Sequence, residues 1–215
     1  MNEDTQIFDL IGHNFFVLTT ADVVDPDKLD YLINKINADE DLSAWARAYF
    51  LGRTCMAVKR YKDALFYFKV FFTEDIPRKY WWRFLLNIAL CYLDLQDYHK
   101  AKEYYEQTLL KENPPENDRW CILFYIATCY FNLQDYHKAK EYYEQVLKEN
   151  PPENRRWCIL SNIAFCHLNI QDYHKVKAMD YLKEALRENP PENKIKNILK
   201  KTLLNKYVCR AVEVF

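Results

Sequence analysis

Histidine and cysteine are among the side chains in this sequence that could ligate a metal ion or act as nucleophiles. His99, His137 and His174 each follow a tyrosine at the start of a similar stretch of sequence. If these stretches are stacked helices, packing separates the three imidazoles by about 10 Å. A metal site needs ligands that converge to about 2 Å from one ion. We therefore expect surface histidines, no bound metal and no other cofactor.

The seven cysteines are odd in number, and they form no recognisable metal-binding pattern, since no Cys-x-x-Cys occurs. Cys91, Cys129 and Cys166 recur inside apolar stretches, as small buried residues do in a reducing compartment. A catalytic thiol needs a polarising neighbour and a pocket. Cys121 and Cys158, each in an Arg-Trp-Cys-Ile-Leu segment, are expected to be the most exposed. No Ser-His-Asp, P-loop or dinucleotide-binding motif accompanies them, so we expect no enzymatic activity.

These histidines and cysteines lie in an internal repeat. Gln96–Gln107 and Gln134–Gln145 are identical at all twelve positions, and a third copy begins at position 171. Tyr98, Tyr136 and Tyr173 mark spacings of 38 and 37 residues, and a more divergent copy precedes them by another 37 residues. Repeats with a period of this size indicate a stacked architecture.

Composition limits the classes of function. Half of the 215 residues are hydrophobic and 16% are aromatic, which suits a large core. The 30 basic and 31 acidic residues give a net charge of −1, without the basic excess of a general nucleic-acid binder. The two glycines, Gly12 and Gly52, leave almost no phosphate-binding loops or tight hairpins. The start of the chain lacks a basic signal sequence and no long apolar run occurs, so we expect a soluble, cytoplasmic protein without a membrane span.

Apolar residues at helical spacing alternate with proline-containing linkers, which predicts paired helices. The Pro-Pro dipeptides at 114–115, 151–152 and 190–191 each end a helix, because proline lacks an N–H group and restricts the preceding residue. Asn117 or Asp118, and Asn154, are the predicted N-caps of the helices that follow. The predicted helices of the pairs cover 42–58, 61–72, 79–94, 97–111, 118–132, 135–148, 155–169 and 172–187.

The sequence thus predicts an all-α chain of three parts. Residues 1–41 form an N-terminal helical segment, with a short helix in 4–20 and another at 28–37. Residues 42–193 form the repeat array, and 194–215 form a C-terminal helix that caps the last pair. The four predicted pairs are 42–78, 79–117, 118–154 and 155–193.

The array resembles the tetratricopeptide repeat family over about residues 44–191. In that family the first helix carries a large apolar residue, a leucine-like residue followed by a small one, and an aromatic. The second helix carries a small residue, an aromatic and another small residue, and a proline closes the unit. In the second pair the matching residues are Leu85, Ile88, Ala89, Tyr92, Ala101, Tyr105, Thr108 and Pro114. In the third pair they are Leu123, Ile126, Ala127, Tyr130, Ala139, Tyr143, Val146 and Pro151.

This resemblance implies an α-solenoid of about four helix pairs, with a surplus over the family period of about 34 residues placed in the linkers. It also implies that the first helices line a concave groove that binds a peptide or helix of a protein partner. One subclass grips a carboxylate with lysines, an arginine and asparagines. Here Asn87 and Asn162 hold the asparagine positions without the basic partners, so we expect no such clamp. The implied groove residues are Tyr49, Arg53, Arg83, Leu86, Asn87, Leu90, Phe124, Thr128, Phe131, Ser161, Asn162 and Phe165.

The sequence therefore favours a non-catalytic scaffold or adaptor for protein–protein interaction. A chaperone of the secretion type, which holds an apolar client segment, is the first alternative. An RNA-binding helical repeat is the second, and the neutral net charge counts against it. The apolar stretch Phe8–Leu18 is itself a possible occupant of the groove.

Overall fold

The computed structural model describes residues 34, 36–38, 40, 42–70, 72, 76–111, 114–170, 175–188 and 190–192. The chain divides into two compact units, Met1–Glu112 and Asn113–Phe215, called here the N-terminal half and the C-terminal half. The elements predicted at 4–20 and 194–215 lie outside the described residues. So does most of the one predicted at 28–37, of which Asn34 and residues 36–37 are helical.

The N-terminal half contains two helix pairs. In this half α2 packs against both α1 and α3, and α3 packs against α4. A single 3₁₀ turn, Arg78–Tyr80, leads directly into α3. The four helices are α1 (Ala44–Ala57), α2 (Tyr61–Val70), α3 (Trp81–Asp94) and α4 (Tyr98–Lys111).

The C-terminal half contains two further pairs with the same order of contacts. Here α6 packs against both α5 and α7, and α7 packs against α8. Nothing in the described part of either half is a β-strand, in agreement with the predicted all-α fold. The four helices are α5 (Glu116–Asn132), α6 (Tyr136–Lys148), α7 (Glu153–Asn169) and α8 (Lys175–Arg187).

The turn inside a pair is built the same way in the second and third pairs. Gln96 and Gln134 adopt left-handed backbone conformations, with φ of 62° and 63°. The N–H of Asp97 donates to the carbonyl of Tyr92 at 2.9 Å, which closes the first helix of the second pair in a Schellman arrangement. The next helix then begins at once, because the Asp97 carboxylate accepts the backbone N–H of Lys100 at 3.2 Å. One aspartate therefore ends one helix and caps the next.

The first helices of the third and fourth pairs begin earlier than the sequence predicts. Asn117, Asp118 and Asn154 are not N-caps, since α5 starts at Glu116 and α7 at Glu153, directly after Pro115 and Pro152. Proline lacks an N–H and its φ is already near the helical value, so a helix can start immediately after it. Acidic residues in the first turn favour these starts through the helix dipole. Part of each predicted linker is therefore helix.

The cores form where small residues let helices approach. In the N-terminal half Ala64 and Phe68 of α2 are fully buried in one apolar cluster with Tyr49 and Phe84. In the C-terminal half Ala127 of α5 and Ala139 of α6 are both 0% exposed. The small and aromatic positions that carry the family resemblance in the second and third pairs are thus buried, except Tyr92, which is partly exposed.

Candidate partner-binding surfaces

Each of the last three pairs places one stacked ring pair between its two helices. Tyr92 stacks on Tyr104 with ring centroids 5.6 Å apart, and Tyr130 stacks on Tyr142 at 5.5 Å. In the fourth pair the same positions hold His167 and Tyr181, whose rings lie 5.7 Å apart at 19°. These stacks fix the two helices of a pair against each other.

Six of the twelve groove residues predicted from the resemblance are partly exposed. Phe124, Thr128 and Phe131 follow one another on α5 at spacings of four and three residues, so they share one helical face. The other three lie on three different helices: Arg53 on α1, Arg83 on α3 and Asn162 on α7.

The remaining six predicted groove residues are buried. Asn87 is 0% exposed, and its side-chain amide donates to the carbonyl of Arg83 at 2.8 Å. Ser161 is also buried and donates to the carbonyl of Trp157 at 2.7 Å. The position of a residue in the helical repeat predicts the direction of its side chain. It does not predict how much of that side chain the neighbouring helices cover. The buried six are Tyr49, Leu86, Asn87, Leu90, Ser161 and Phe165.

The partly exposed residues of α5 are also held in place by contacts with α6. The ring of Phe124 meets that of Tyr143 edge-on at 5.5 Å. The hydroxyl groups of Thr128 and Tyr143 lie 3.1 Å apart. Phe131 packs against Tyr136 at 5.3 Å and against the buried cluster around Phe165. These contacts hold the α5 side chains in fixed positions, so the face is preorganised.

The buried thiols in the described part of the chain are poorly suited to nucleophilic chemistry. Cys121, which the sequence predicts to be among the most exposed, is 4% exposed, because it faces into the packing of α5. Burial raises the pKa of the Cys121 thiol, and burial also raises the pKa of Cys91 to about 12. Such thiols stay protonated at neutral pH, and the thiol form is a poor nucleophile. Cys158 is partly exposed.

Two further expectations concern metals and membranes. His99 and His137 are exposed, and His174 lies outside the described residues. Within the ranges that the structure describes, no three His, Cys, Asp or Glu side chains form a group that could hold a metal ion. None of the described helices is long and apolar enough to cross a membrane.

A basic and aromatic cluster before and at the start of α3 was missed in the sequence. Arg78 lies over the ring of Trp81 with its Cζ 4.4 Å from the centroid, and Lys79 lies 4.7 Å from that of Tyr80. In the segment Pro77–Arg83 two cations are followed by three aromatic residues and a third cation, and this pattern was a readable signal.

Comparisons with known proteins agree with this architecture. Models of the tetratricopeptide repeat match residues 83–109 and 120–153. Among solved structures, two of MamA are similar. One has a TM-score of 0.60 and 17% identity over 78% of this chain and 89% of that chain. The other has a TM-score of 0.61 and 16% identity over 87% and 93%. A Podosopora anserina protein with nearly identical TPR-like repeats has a TM-score of 0.56 and 14% identity over 87% and 92%. No curated protein matches this sequence.

These findings define the class of molecule as an all-α solenoid of paired helices, as predicted. The chain contains tetratricopeptide repeats, which the family models match at residues 83–109 and 120–153. Proteins of this kind are in general scaffolds for protein–protein interaction, and that general role is supported for this chain.

Proposed function

We propose that this protein is a non-catalytic scaffold that binds a peptide or helix of a partner protein along the first helices of its pairs. The observation that carries this proposal is the α5 face formed by Phe124, Thr128 and Phe131. Two aromatic rings remain partly exposed there although packing holds them in place. An apolar surface that is ordered before binding loses little entropy when a ligand covers it.

The neighbouring first helix of the same half supports a shared surface. Asn162 on α7 is partly exposed, and Phe131 of α5 packs against the buried cluster that contains Phe165 of α7. An amide in the same half as exposed aromatic rings suits a peptide, because it can bind the peptide backbone while the rings bind its apolar side chains. Arg53 and Arg83 are the partly exposed groove candidates of the N-terminal half. Each half thus offers its own candidate contacts.

The chemistry of the α5 face predicts the kind of ligand. Complete burial of a phenylalanine side chain yields about 1.5–3 kcal/mol before ordering costs, and these rings are already half-buried, so they yield less. The face carries no charged residue, so we expect the binding of an apolar or amphipathic segment to depend weakly on salt. Helix-in-groove and extended-peptide recognition both fit such a segment.

A matched pair of charge substitutions tests the proposal. Asn162→Glu places a carboxylate on the α7 surface, and Gln145→Glu introduces the same charge on the exposed side of α6. Partners would be captured from the native cell by the parent and by both variants and quantified by mass spectrometry. We expect Asn162→Glu to lose the partner and Gln145→Glu to keep it.

Other results would contradict the proposal. If Asn162→Glu retains its partner as well as the parent does, the α7 surface is not the binding site. If a Phe131→Ser variant stays folded by circular dichroism and also retains the partner, the α5 face is not used either. Capture of small secreted clients alone would favour the chaperone alternative, and capture of RNA would favour the nucleic-acid alternative.

A further inference from the structure

A second surface of distinct chemistry lies before and at the start of α3 in the N-terminal half. We call it the basic–aromatic surface, and it consists of Arg78, Lys79, Tyr80, Trp81 and Arg83. From position 77 to position 93 the sequence contains these three cations and no acidic residue. Arg78 and Lys79 are exposed and Arg83 is partly exposed. The acids that precede the surface, at positions 74 and 75, lie outside the described residues.

Each of the three cations rests on an aromatic ring. The Arg78 guanidinium lies 4.4 Å from the centroid of Trp81, and the Lys79 ammonium lies 4.7 Å from that of Tyr80. Arg83 lies 5.2 Å from the ring of Trp82 and 5.7 Å from that of Tyr80. All of these separations fall within the range of cation–π attraction. Contact with the rings therefore restricts the motion of the three charged side chains.

The supporting rings are themselves fixed. The indole N–H of Trp81 donates to the carbonyl of Ile76 at 2.8 Å, and the Phe72 ring packs on the same indole at 5.1 Å. Tyr80 is buried and stacks on Trp45 at 5.5 Å. Two helices and the 3₁₀ turn thus position the rings, and the rings position the cations.

We propose that the basic–aromatic surface binds an acidic segment of the partner protein, one rich in aspartate and glutamate. Guanidinium groups present several N–H donors in a plane, which matches the two oxygens of a carboxylate. Cations that are already ordered lose less entropy on pairing than mobile surface lysines do. The proposal rests on the interaction function inferred above, and it adds a contact that depends strongly on salt to one that depends on it weakly.

A nucleic acid fits this surface less well. Proteins that bind single strands stack bases on open aromatic faces. Here Arg78 and Phe72 both lie against Trp81, and Tyr80 is buried. Three cations in one place also do not form the long basic track that follows a phosphate backbone, and the whole chain has a net charge of −1. Carboxylates of a protein partner are the better match.

Fluorescence anisotropy with defined probes tests this inference on the full chain. The probes are a labelled peptide of alternating glutamate and serine, its lysine–serine counterpart, and oligouridylate. The variant Arg78→Gln/Lys79→Gln removes two exposed charges from the surface. Lys62→Gln/Lys148→Gln removes two exposed charges elsewhere and is the matched control. Circular dichroism confirms that each variant is folded.

We expect the glutamate peptide to bind, to weaken as salt screens the charges, and to bind about tenfold more weakly to Arg78→Gln/Lys79→Gln. The control variant should bind it as the parent does. Absence of binding by the glutamate peptide, equal losses in the two variants, or tighter binding of oligouridylate would each overturn the inference. The partner captures with Asn162→Glu do not use these probes, so failure here leaves the proposed scaffold function standing or falling on its own test.

Discussion

The ring of Phe68 fills the space that a side chain would need at Gly52. A Cβ atom placed on Gly52 would lie 2.6 Å from both Cε1 and Cζ of that ring. The ring is 0% exposed and belongs to the apolar cluster of the N-terminal half, so it has little room to move. Helix α1 therefore carries a glycine in its interior because α2 approaches it closely at this point.

Substitution of this glycine should destabilise the protein. Gly52→Ala gains up to about 1 kcal/mol of helix propensity. We expect overpacking against Phe68 to cost about 1–3 kcal/mol and to dominate. Urea unfolding of Gly52→Ala, Phe68→Leu and the double variant measures the coupling. A smaller residue at position 68 should offset part of the alanine's cost, and strictly additive effects would contradict the contact.

The left-handed turn residue of the third pair should be improvable. Gln134 has φ of 63°, a conformation in which residues other than glycine are strained. We expect Gln134→Gly to stabilise the protein by about 0.5–1 kcal/mol. Gln145→Gly, the same substitution inside α6, should instead destabilise it by about 1 kcal/mol. Thermal unfolding would distinguish the two, and destabilisation by both would mean that the turn is not strained.

The helix cap of the second pair should give a dependence on pH. The hydrogen bond that the Lys100 side chain donates to Asp97 is the largest of the causes that lower the pKa of Asp97 below its ordinary value. A carboxyl group with a lowered folded-state pKa adds stability above its unfolded pKa, and that stability is lost as pH falls through the folded pKa. We expect Asp97→Asn to remove part of the stability loss seen below about pH 4. The free energy of unfolding is measured against pH for both proteins. An equal loss of stability with falling pH in parent and variant would contradict this prediction.

The crossing of α5 and α6 should not tolerate larger residues. Ala127 and Ala139 are both 0% exposed on two helices that pack together. We expect Ala127→Leu or Ala139→Leu to cost about 1–3 kcal/mol. Ala57→Leu, at a partly exposed position at the end of α1, is the control and should change stability little. Melting temperatures within about a degree of the parent for both core variants would contradict the helix register.

Sequence periodicity was sufficient to predict the helix pairs and the positions at which their two helices are buried against each other. A small or aromatic residue that recurs at the same position of each repeat indicates a helix crossing, and residues at a crossing are buried. The structure agrees for Ala101, Tyr105, Ala139 and Tyr143, which are all buried. The exposure of the groove candidates could not be read in this way. Phe124 is partly exposed, but Ser161, at the same position of the next pair, is buried. Exposure depends on the side chains of neighbouring helices, and the neighbours differ from pair to pair.

The identity of the two turn-and-helix segments has a consequence for the gene. Recombination between the stretches that encode Gln96–Gln107 and Gln134–Gln145 would delete or insert 38 residues in frame. In both copies the identical stretch begins with a left-handed turn residue and a capping aspartate and continues into the second helix. A shortened chain would then join α3 to a helix that begins identically to its own partner, with no helix cut in two. Where the codons of the two stretches also match, unequal crossover would change the array by whole pairs.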